Sequence, residues 1–82
     1  MMKAVREILL HEWDPIGVAD NPECFDEYDR YARTICRYIA EGIDAFGIAA
    51  YLSHVQIVDM GLHGADVVRN KTVASKLLSL SA

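Results

Sequence analysis

The chain has 82 residues, 52% of them apolar, and a formal net charge of −4. That length argues against a second domain and the apolar share against intrinsic disorder, so one domain over 1–82 is expected. Charged or polar residues interrupt every apolar stretch before the roughly 18 residues that a membrane span needs, and an acidic balance argues against direct nucleic-acid binding.

The first predicted helix runs from about Lys3 to Trp13. Val5, Ile8, Leu9 and Trp13 fall at helical spacing, while Arg6, Glu7 and Glu12 take the other side. The opening residues carry Glu7 and are followed by no small-residue cleavage site, so no secretory leader is expected and the expected location is the cytoplasm. Pro15 disfavours helical geometry at Asp14, and Asp14, Pro15 and Gly17 occupy the positions that a type I turn prefers.

Asn21 can cap a second helix, with Pro22 at its first position and Glu23 set favourably against the helix dipole. Its apolar stripe reads Phe25, Tyr28, Ala32, Ile35, Cys36 and Ile39, and Gly42 followed by Ile43 predicts a stop near Glu41. Cys24 and Cys36 would lie about 18 Å apart on this helix, at about 1.5 Å per residue, too far for a disulfide. They read as two buried thiols in the role of small apolar residues.

Asp44 can cap a third helix reaching about Met60, with Ile48, Leu52 and Val55 inward and Gly61 and Leu62 repeating the stop signal. Gly47 should weaken its first turn by about 1 kcal/mol relative to alanine. A fourth helix begins near Ala65 or Asp66, with Asn70 and Thr72 as alternative caps. It ends near Leu80 and buries Val73, Ala74, Leu77 and Leu78. The expected fold is all-α, a compact array of about four helices joined by short links, with one longer acidic link at 14–21.

Charge is segregated along the chain. Residues 13–29 hold Asp14, Asp20, Glu23, Asp26, Glu27 and Asp29 and no Lys or Arg, a local charge of −6. Arg30, Arg33 and Arg37 follow, against Glu41, and Arg69, Lys71 and Lys76 lie near the C-terminus. A like-charged block raises the surface potential and steers partners of opposite sign. Its bland alternative is a solvated face that favours a helix start. Trp13, Ile16 and Val18 could either pack this link on the bundle or anchor an interface.

No catalytic, metal or cofactor site is readable. A zinc-protease pairing with His11 and Glu12 would need a second histidine where Pro15 stands. His54 and His63 share no face with a cysteine at ligand spacing. The acidic run lacks the alternation and the glycine of a calcium loop, and the five glycines, at 17, 42, 47, 61 and 64, never form a phosphate-cradling motif.

The stretches Glu12–Val18 (EWDPIGV), Asp26–Asp29 (DEYD), Ala50–Leu52 (AYL) and Met60–Leu62 (MGL) together resemble a group of small bacterial cytosolic helical domains. The resemblance covers roughly residues 8–80 and implies a small helical fold and a bacterial source. In size and acidity such domains are similar to immunity proteins, which neutralise a toxin encoded beside them. The expected function is therefore non-enzymatic. It is that of an immunity-type inhibitor holding a cognate toxin domain through Asp14, Asp20, Glu23, Asp26, Glu27 and Asp29, with no cofactor, no metal and no membrane partner. Two alternatives are a helical module forming a homo-oligomer through an apolar face, and a small metal-dependent enzyme using Asp26, Asp29 and a histidine.

Overall fold

Each apolar stripe needs a partner out of water, and four stripes close on one another in a computed structural model that describes residues 1–14 and 28–80. Helix α1 is Met2–Ile8 and runs on as a wider π-helical turn, Leu9–Trp13. Helix α2 is Asp29–Ala40. Helix α3 is Ala45–His54, again continued by a π-helical turn at Val55–Asp59, and α4 is Val67–Ser79. No strand occurs among the described residues, so the all-α expectation holds. The described start of α2 lies well after the cap expected at Asn21, and the segment that would carry that cap, with Cys24 and Phe25, lies outside the described residues.

Helix α1 packs against both α2 and α4, while α4 packs along α3. The common core contains Val5, Leu9 and Trp13 from α1, Ile35 from α2, Ile48, Leu52 and Val55 from α3, and Val73 and Leu77 from α4. Ile8, Cys36 and Leu78, expected inside, are only half-buried at its edge, whereas Leu10 is buried. Asp14 donates its N–H to the Leu9 carbonyl five residues back at 2.8 Å, the bond of a π turn, and Leu10 and Trp13 within that turn are both buried.

Both predicted glycine stops form, by different routes. Gly42 takes φ +82°, Gly42 donates to the Ile39 carbonyl at 3.1 Å and Ile43 donates to that of Tyr38 at 3.0 Å, the paired bonds of a Schellman ending. Gly61 takes φ +66°, but Leu62 donates to Gln56 at 2.9 Å, one residue further back, because the preceding π turn has shifted the register. Gly47 is more than a weak helix former. An added Cβ there would collide with the Ile43 side chain, so its absence lets Ile43 fold over the first turn while Asp44 caps the Gly47 N–H at 2.9 Å. Ile43 and Ile48 then hold the two positions of a hydrophobic staple.

Helix α4 is capped by Asp66, which accepts from the Arg69 N–H at 3.0 Å, and neither Asn70 nor Thr72 serves as the cap. Thr72 instead donates its hydroxyl back to the Val68 carbonyl at 3.2 Å. Asn70 is fully buried and joins three helices. Its carboxamide oxygen accepts from the Trp13 indole at 2.9 Å, and its nitrogen donates to Gln56 Oε1 at 2.7 Å and to Ser53 Oγ at 3.0 Å. Trp13 ends one π turn and Gln56 lies in the other, so both irregular turns converge on this one amide. No buried side-chain nitrogen or oxygen among the described residues lacks a partner.

Candidate functional site

Two of the six carboxylates expected to form a binding surface lie in the described chain, and both make contacts within the fold. Asp14 follows the π turn of α1 with φ 32° and ψ 58°, a left-handed conformation that aspartate tolerates better than most residues. Its carboxylate accepts from the Tyr28 hydroxyl at 2.9 Å. Tyr28 is fully buried and its ring lies 5.5 Å from that of Trp13, so the hydroxyl bond meets the polar end of an otherwise apolar side chain. Asp29 sits in the first turn of α2, where the dipole favours a negative charge, and accepts from Arg6 Nε at 2.6 Å. That ion pair ties α1 to α2. Asp20, Glu23, Asp26 and Glu27 lie outside the described residues.

Trp13 is only 1% exposed and meets Tyr28 at a tilt and Tyr31 edge to face, which places it in the core. Ile16 and Val18, its proposed companions, lie outside the described residues. His11, His54 and His63 are all exposed and stand on three separate segments. Among the described residues no three His, Cys, Asp or Glu side chains gather as a metal would require.

A surface hollow of about 380 Å³ lies between the end of α1 and the start of α4, lined by Glu12, Asp66, Val68, Arg69, Thr72 and Val73. Its charges are already matched. Glu12 pairs with Lys76 from α4, and Asp66 lies 3.7 Å from Arg69. Carboxylates so matched and so open to solvent are poorly placed for acid–base chemistry, which needs a site that sets two protonation states apart. No described helix is long and apolar enough to cross a membrane.

Arg30, Arg33 and Arg37 fall at i, i+3 and i+7 of α2, which places them within about 60° of one another on the helix. All three are exposed, opposite the buried Tyr31, Ala32, Ile35 and Ile39. Arg30 donates to the Tyr31 hydroxyl at 2.9 Å and lies 5.0 Å from that ring's centre, while Arg37 lies 5.5 Å from the ring of Tyr38. The bond to Tyr31, above all, raises the Arg30 pKa further above its ordinary value. Tyr38 in turn meets Tyr51 of α3 edge to face at 5.2 Å. Burial pushes the Tyr51 phenol above the usual tyrosine value. The outer side of α2 is thus a basic stripe set beside tyrosine rings.

No family model, curated protein or solved structure matches the chain.

Proposed function

We propose that this chain is a non-enzymatic protein-binding domain, an immunity-type inhibitor that engages a cognate bacterial toxin domain through the carboxylates of residues 13–29. The observation that carries the reading is charge segregation: six carboxylates without one Lys or Arg between Trp13 and Asp29, followed directly by a helix whose exposed face is arginine-rich. Such a dipolar surface orients an incoming protein before contact, and a toxin that acts on nucleic acid would offer a basic groove to the acidic side.

Asp14 and Asp29 hold Tyr28 and Arg6, so each supports the structure as well as adding charge. Asp20, Glu23, Asp26 and Glu27 supply the remaining charge that would steer a basic partner. The test is a titration of the neighbouring gene's product with the wild type and with an Asp20→Lys, Glu23→Lys, Asp26→Lys variant whose helicity is checked by circular dichroism. Association should slow by at least about tenfold and lose much of its salt dependence. Tight binding that survives the reversal unchanged rejects the acidic surface.

A further inference from the structure

We infer that the outer face of α2 is a second, oppositely charged contact surface, on which Arg30, Arg33 and Arg37 receive an acidic helix of a protein partner. This goes beyond the acidic surface proposed above and does not depend on it, since it concerns other residues and a ligand of the opposite sign. Three observations carry it.

The first is that no carboxylate among the described residues forms an ion pair with these guanidiniums. The ion pairs among the described residues join Arg6 to Asp29, Arg69 to Asp66 and Lys76 to Glu12, and none uses the α2 arginines. Asp59, in the π turn that continues α3, attracts Arg30 less than the contact with Tyr31 does. The second is that the stripe is partly ordered in advance. Arg30 is held by Tyr31 and Arg37 lies over Tyr38, so a ligand finds two of the three side chains already placed and less rotamer entropy is lost on binding. Arginine beside tyrosine is also the composition that dominates binding energy at protein interfaces.

The third observation is length. Positions i to i+7 span about 10 Å of helix, which matches carboxylates repeated at the same spacing on a partner helix, each able to take a guanidinium fork. Nucleic acid fits less well, because its charges continue far beyond 10 Å at about one per 1.7 Å of duplex. A polyanion laid along α2 would pass Asp29 in the first turn of the helix, the residue before Arg30, on a chain of net charge −4. A second copy docked through the same helix fits worse still, since it would set guanidinium against guanidinium.

The probe is a short capped alanine-based helical peptide with glutamates at i, i+3 and i+7, titrated at low salt into the isotope-labelled protein while amide shifts are followed. A single-stranded oligonucleotide of equal charge is titrated in parallel. Saturable shifts should map to α2, and Arg33→Glu with Arg37→Glu should weaken peptide binding by roughly tenfold or more, as loss and reversal of two exposed charge pairs require. Lys3→Glu with Lys71→Glu, which removes the same charge elsewhere, should leave the α2 shifts in place. Circular dichroism checks each fold, and Arg33→Gln with Arg37→Gln replaces the reversal if that variant loses helicity. Shifts absent from α2, shifts that survive loss of the arginines, or tighter binding of the oligonucleotide to this face would each overturn the inference.

Discussion

Around Asn70, polar side chains from α1, α3 and α4 meet out of water, and the Trp13 indole and both bonds of the Asn70 amide nitrogen find acceptors inside the fold. Along the outer side of α2 three guanidiniums stand in solvent, and none meets a carboxylate partner among the described residues. The two regions use polarity to different ends. A buried polar group left unpaired costs about 1–3 kcal/mol, so the Asn70 junction allows few arrangements and selects one register for three helices. Exposed charges cost little to leave unpaired, so the α2 face contributes little to stability and stays free for a ligand.

The comparison breaks most visibly at Trp13. Trp13→Ala should cost about 3–5 kcal/mol in urea denaturation, since it removes a buried ring from beside Tyr28 and Tyr31 and also orphans the Asn70 oxygen. A loss under about 1 kcal/mol would mean that the ring is not in the core. Asn70→Ala should cost less, about 2–4 kcal/mol, because it leaves the Trp13 N–H without an acceptor and Gln56 Oε1 without that donor. A double-mutant cycle with Trp13→Phe then separates the indole bond from packing, and near-additive losses would show that the two side chains act independently. The smallest effect belongs to the surface: Arg6→Ala, which breaks the pair with Asp29, should cost no more than about 1 kcal/mol and less at high salt. A loss as large as that at Asn70 would erase the distinction between the two regions.

Much of the architecture follows from local chemistry. The stripes of α1, α3 and α4, the cap at Asp44, and the stops at Gly42 and Gly61 are properties of adjacent residues, and a turn or cap needs only its own few neighbours to form. The segregation of charge is equally local, and so is the arginine spacing on α2, although which face of that helix meets water is settled only by packing. Asn70 marks where such reading stops. Asparagine near a helix start reads as a cap, and nothing near it in the chain announces that its partners are Trp13, Ser53 and Gln56, at sequence separations of 57, 17 and 14. The two π turns belong with it. Leu10 and Gln56 are buried within them, and no propensity in either segment distinguishes such a turn from a continued α-helix. The sequence by itself therefore determined four helices, the cap at Asp44, the stops at Gly42 and Gly61 and the separation of charge. Only the tertiary structure decided which polar residues are buried and which carboxylates the fold holds, because burial depends on the element opposite and not on the neighbours in the chain.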